Sequence, residues 1–167
     1  YAACGVLSIH IAIPPGYVAP LFPAAGVALA GTLVGGYRIW PAIFAGAFIT
    51  NLYSGWHANL PEHSRLLPYA VAVGACLQSL AGAYLARRWL RGLSALDSAG
   101  AIVRLLFGAA PLSCLISPTI GVSALHLLAG LPASDIPFSW WNWWAGDLIG
   151  ILVATPLSLV FIGQPRS

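Results

Sequence analysis

Charge is scarce in this chain. Seven arginines and four acidic residues are all it has in 167 positions, 7% of the total, and lysine is absent. A soluble domain carries about 25% charged residues, and so few cannot cover a water-facing surface. Hydrophobic residues fill 59% of positions and mean hydropathy is +0.86. An integral membrane protein is therefore expected. The net charge of +3 is spread over arginines without an aromatic-interleaved basic patch, which argues against a nucleic-acid footprint. Methionine is missing altogether and the first residue is Tyr1. The chain is thus expected to be an excerpt of a longer polypeptide, one membrane domain over 1–167. Its three cysteines, Cys4, Cys76 and Cys114, form no CxxC pair. Apolar surroundings suit buried free thiols better than a disulfide or a metal site.

Long apolar runs are abundant instead. Six candidate spans lie at 2–13, 24–37, 41–55, 66–90, 99–130 and 136–162, which predicts an all-α polytopic bundle of about six crossings. The second and third are short for a crossing that needs about 20 apolar residues, so tilting, pairing as a helical hairpin or local thinning of the bilayer is expected. Arginine placement orients the bundle. If Arg87, Arg88 and Arg91 are cytoplasmic, alternation brings Arg38, Arg104 and Arg166 to the same side and leaves only Arg65 opposite. That bias follows the positive-inside rule and puts both ends in the cytoplasm of a bacterial inner membrane. His57, His63 and His126 fall on the outer side, with His10 near the outer end of the first span.

The densest signal is Trp140, Trp141, Asn142, Trp143, Trp144, Ala145, Gly146, Asp147. Indole rings favour the headgroup boundary, so these four tryptophans are expected to mark one membrane face. Asp147 is the one charged residue between 137 and 163. An acid at mid-depth costs about 2.5–3.5 kcal/mol on insertion scales, which makes it a functional candidate by default. The fourth span carries Gly74, Gln78 and Gly82 at four-residue steps, a spacing that lets helices approach closely. Gln78, at similar depth, is the natural partner of Asp147.

Prolines interrupt the pattern. The fifth run holds Pro111 and Pro118, each of which deletes a backbone donor, and Ser113, Ser117 and Gly121 recur on one face. A proline-broken segment is expected, with 114–123 lining the interior so that freed carbonyls find partners. Pro14, Pro15, Pro20 and Pro23 exclude regular helix from a loop at 14–23. A re-entrant or interfacial loop with Tyr17 and Phe22 at the outer boundary is expected there. Thr119 beside Pro118, and Asn51 in the third span, complete the intramembrane polar candidates. A short echo also links 23–27 to 118–122 and 44–49 to 144–149, in segments expected to run in opposite directions, as inverted repeats do.

Together these residues resemble the bacterial membrane-associated sensor domain family, type one, from about Pro14 onward. The carriers are VAPLFPAAGVALA (18–30), GYRIWPAIFAGAF (36–48) with Asn51-Leu52, Leu77-Gln78, Gly82-Ala83 and Arg87-Arg88. They continue through Ile116-Ser117, Thr119 and Gly121 to Trp143-Trp144-Ala145-Gly146-Asp147, Gly150 and Pro156. Ala19, Phe22, Ala25 and Ala75 stand where that family often has polar residues or tryptophan. The resemblance implies a sensory input module whose partners are cytoplasmic histidine kinase, diguanylate cyclase or phosphodiesterase output domains in the same chain.

A non-enzymatic sensor is accordingly the first expectation. A stimulus from outside, from the lipid or from a membrane partner protein or small ligand would repack the surroundings of Asp147, Gln78 and the Ser117–Thr119 break. The last span would pass this on without a cofactor, and a homodimer is an expected assembly. Protonation of Asp147 is one expected stimulus. A small transporter-like protein binding a ligand or ion at mid-membrane is the alternative. A metal or haem site from His57, His63 and His126 is a third reading, with loose spacing. Catalysis by Ser113 or Ser117 ranks last, because neither has an adjacent base and backbone bonding explains both.

Overall fold

The computed structural model describes residues 1–9, 21–57, 62–90 and 103–162, and these are helical with no strand among them. The helices are α1 (Ala2–Ile9), α2 (Pro23–Gly35), α3 (Trp40–His57), α4 (Leu67–Leu90), α5 (Ala110–Ser113), α6 (Ile116–Ala129) and α7 (Ile136–Ile162). Three helical stretches are long and apolar enough to cross a membrane: Ser64–Trp89, Phe107–Ala129 and Ala133–Ile162. The fourth, fifth and sixth expected spans correspond to these. The second is the shorter helix α2, and the third is the 18-residue α3. Large apolar side chains such as Phe107, Leu127, Val160 and Phe161 point outward, as a protein solvated by lipid requires.

α4 is the central post. α3 runs antiparallel along it, with the Phe48 and Tyr69 rings tilted against each other at 4.6 Å and Cys76 donating to the Trp40 carbonyl at 3.5 Å. α6 also runs antiparallel to it, burying Ala124 and Leu125 against Leu67 and Val71. Gly74 meets Ser117 and Ile120 of α6, while Gly82 meets Leu29 of α2 and Ser113 of α5. The four-residue spacing of small residues on α4 thus does what it predicts. The other extensive pair is α2 with α7, which run in parallel. α2 therefore packs on α7 and crosses α4, and the hairpin of second and third spans does not form. The cause is complementary small residues: Gly146, Gly150 and Ala154 on α7 face Gly26 and the start of α2.

α2 starts at Pro23, whose fixed φ suits the first helical position. It stops at Gly36, where φ is +77°, a conformation glycine adopts without steric cost. Its terminal carbonyls are then claimed by Arg87. The guanidinium donates to Thr32 O at 3.1 Å and Leu33 O at 3.4 Å, and lies 4.6 Å from the centre of the Tyr37 ring. Arg87→Ala should lower stability by about 1–2 kcal/mol, since charge-assisted bonds and a cation–π contact go together. Arg87→Lys should recover less than half, because an ammonium cannot fork and stack at once. Denaturant titration in micelles, followed by circular dichroism, measures both.

The fifth segment is interrupted, as its prolines predict, but the break lies between them. A π-helical turn at Leu105–Ala109 leads into α5, and the chain bends at Cys114 and Leu115 before α6. Leu115 N–H bonds Leu112 O at 3.3 Å, which leaves Pro111 O without its usual helical partner. The Trp144 indole donates to that oxygen at 3.2 Å, and the Ser113 hydroxyl donates to Ala110 O at 3.0 Å. Pro111 and Pro118 fall within the first turns of α5 and α6, where a missing N–H costs least. Trp144→Phe should strand the Pro111 carbonyl and cost about 1–3 kcal/mol, measured in the same unfolding assay.

Candidate mid-membrane polar site

Asp147 is 2% exposed and Gln78 4%. Asp147 comes eleven residues after Ile136 in the 27-residue α7, about 16 Å along the helix axis at 1.5 Å per residue. That is near the middle of the apolar layer. Gln78 and Ser117 line the same cavity as its carboxyl. α4 and α6 thus each bring one polar side chain to the cavity of the α7 acid.

These groups border a cavity with about 50 Å³ of room for water-sized spheres, enough for a few waters at about 10–15 Å³ each. Thr50, Asn51 and Ser54 of α3 reach it from one side and Ser79 of α4 from another. Its aromatic walls are Tyr1, Phe22 and Trp143. Tyr1 and Phe22 meet edge to face at 6.1 Å. The site is polar, enclosed by hydrophobic helices, and built from five of them.

The start of α2 is tied to the same level of α7. Phe22 N–H bonds Gly146 O at 3.1 Å, one residue before the acid, and the Phe22 carbonyl lies where a Gly150 side chain would be. Thr155 donates to Gly26 O at 3.2 Å one turn deeper. α2 therefore begins inside the apolar layer beside Asp147 and runs only toward the arginine-bearing end. Phe22 was expected at the outer boundary with Tyr17. It is instead inserted to mid-depth, because the glycine face of α7 has room for its backbone. Residues 14–20 of the proline-rich loop, Tyr17 among them, lie outside the described residues.

Of the other candidates, Asn51 lines the cavity, its Nδ2 donating to Ala47 O at 2.8 Å. Thr119 does not reach it. Thr119 is exposed, donates to Leu115 O and accepts from the Trp140 indole at 3.1 Å, because position 119 is two residues off the Ser117–Gly121 face. The tryptophans divide. Trp141 is 60% exposed, as a boundary residue should be. Trp143 packs on Gly121 and lines the cavity, Trp144 repairs the fifth segment and Trp140 holds Thr119. A run of neighbours in a helix spreads over its whole circumference, so the four rings meet different neighbours. Pro23, Pro111 and Pro118 begin helices and do not kink them.

Arg38 is exposed in the 3-10 turn Tyr37–Ile39. Arg88 donates to the Tyr84 hydroxyl at 3.0 Å and is exposed. Arg87 joins this end of the bundle to α2, and Trp89 packs against Gly108, which brings Arg104 to the same end. Arg91 lies outside the described residues. His126 Nδ1 sits 2.7 Å from Leu131 O. His10 and the side chains of His57 and His63 are outside the described residues, among which no group of three or more histidine, cysteine or acidic side chains could hold a metal.

The residues sequence reasoning missed are Thr50, Ser54, Ser79 and Tyr1. None is unusual for a membrane helix, so only their convergence marks them. Gly146, Gly150 and Ala154 did carry a signal, the same four-residue spacing read on α4.

This arrangement meets a family match over residues 1–167. The chain belongs to the MASE1 family. MASE1 is a membrane-associated sensory domain family, so the protein is a membrane protein of sensory type. No curated protein and no solved structure matches it. Several of the residues that carried the resemblance now have physical reasons. Gln78, Ser117 and Asp147 of this MASE1 chain meet at one cavity. Gly82, Gly121 and Gly150 each give a neighbour room to approach.

Proposed function

We propose that this MASE1 domain is a non-enzymatic input module that reads occupancy or protonation of the Asp147 cavity and transmits it along α7. Cytoplasmic output domains in the same chain, a histidine kinase or enzymes of cyclic-di-GMP turnover, would receive the signal. The observation that carries this reading is that the acid and the α2 docking face share one helix. Gly146 and Gly150 flank Asp147 and hold the start of α2, so any change at the carboxyl bears on the α2–α7 contact directly. A ligand shifts such an equilibrium by its difference in affinity for the two packings. The arginines at one end, following the positive-inside rule, orient that end toward the cytoplasm of a bacterial inner membrane, with the end of α7 on the same side.

Transmission through α7 has a geometric test. Two residues inserted after Ile162 would turn the continuing chain by about 200°, whereas seven return it to within about 20°. Regulation of the full-length protein's output should be lost with the first insertion and regained with the second. Equal regulation in both would reject rotation or shift of α7 as the signal.

A second reading draws on α2 beginning in mid-membrane next to a polar cavity, a feature of transporters with broken helices. Here the cavity would carry a ligand or ion across. Flux in reconstituted vesicles separates the two: the sensory reading expects none.

A further inference from the structure

The cavity holds one unmatched buried hydrogen-bond acceptor beside a carboxyl. The Thr32 hydroxyl donates its one proton to Ala28 O at 2.9 Å, so its 2.7 Å contact with Ser79 uses the Ser79 proton. Ser79 therefore offers only lone pairs to the cavity. Thr50 donates to Gly46 O at 2.8 Å and likewise presents an acceptor. Asn51 ties one amide hydrogen to Ala47 O and brings its other hydrogen and its carbonyl oxygen to the cavity. Gln78 Oε1 is buried without any partner in the cavity that Asp147 and Ser117 also line. An unmatched buried acceptor costs about 1–3 kcal/mol, so a donor that fills the cavity would recover that energy.

From this unpartnered acceptor beside a buried acid we infer that the cavity is a binding site for a small organic ammonium, its N–H groups shared between the Asp147 carboxyl and Gln78 Oε1, its carbon part against Tyr1, Phe22 and Trp143. Three donors on one nitrogen match several converging acceptors, and aromatic faces attract an ammonium. The positive end of α2, equivalent to about half a charge, offsets only part of the carboxylate, and the ligand's charge completes the balance. A hard divalent ion wants six or more oxygens at once. Gly146 O, one residue before the acid, is already bonded to Phe22 N–H, and three of the lining residues are aromatic. The room available limits the ligand to about three to five non-hydrogen atoms.

This inference rests on the sensory reading of the same cavity, but it is tested by binding, without any output. Saturation-transfer NMR on ethylammonium chloride with the full-length protein in lipid nanodiscs should give a saturable signal. Tetraethylammonium, which has no N–H and is too large, should neither give nor displace it. Asp147→Asn and Gln78→Leu should weaken binding at least tenfold. Asp147→Glu should retain it, as should Thr119→Ala outside the cavity, with circular dichroism checking that each variant is folded. No saturable signal in the wild type, or one unchanged in folded Asp147→Asn, overturns the site. Displacement by equimolar sodium overturns the organic ligand in favour of a metal ion. Binding as expected without any effect on output would leave this site standing and remove the sensory reading.

Discussion

A single methyl group at Gly150 is expected to unzip α2 from α7. The Cβ of Gly150→Ala would collide with the Phe22 carbonyl, a backbone atom fixed by Phe22 N–H bonding to Gly146 O. Backbone cannot rotate aside as a side-chain tip can. Gly26 of α2 faces the same seam, with Ala154 Cβ at 2.8 Å and Thr155 N at 2.9 Å from where its own Cβ would be. Relief therefore requires the two helices to separate, which also breaks the Thr155 bond to Gly26 O. Overpacking of this kind costs about 1–3 kcal/mol, and loss of the parallel contact puts Gly150→Ala at the upper end. Gly74→Ala is the control. Its Cβ would meet Ile120 and Ser117 at 3.5 Å, an ordinary contact, and the better helix propensity of alanine offsets part of any cost. It should stay within about 0.5 kcal/mol of the wild type. Denaturant titration in micelles compares the pair, and equal losses in both would refute a glycine seam between α2 and α7.

Asp147→Asn should leave the protein inserted and folded while removing its response. Asparagine keeps the shape of the side chain and its capacity to hydrogen-bond, so stability should change little. What disappears is the capacity to carry a charge 2% exposed at the centre of the bundle. Coupling free energies between sites are typically 1–3 kcal/mol. Output activity of the full-length protein should therefore lose a stimulus-dependent difference of about five-fold or more. Asp147→Leu should add a folding defect, because it leaves Gln78 and Ser117 in a cavity with an apolar group in place of the acid. A folded Asp147→Asn protein whose output matches the wild type under every stimulus and at every pH would eliminate the carboxyl as the sensing group.

Composition alone established a helical membrane protein, since eleven charged groups cannot solvate 167 residues. Local spacing established more. The bounds of α7 and the small-residue face of α4 follow from positions that recur every turn of a helix, and each of those is a short-range property. The tertiary structure alone decided what lay beyond one helix. Phe22 reaches mid-depth because the glycines of α7 admit its backbone. Trp144 serves the fifth segment because a carbonyl there is released by a bend that neither proline locates by itself. Thr50 and Ser54 of α3 and Ser79 of α4 become part of a site only where the packing of five helices brings them to one cavity. Periodicity reports which face of a helix is buried; which neighbour covers it depends on steric fit between distant segments, and that fit is written in no single one of them.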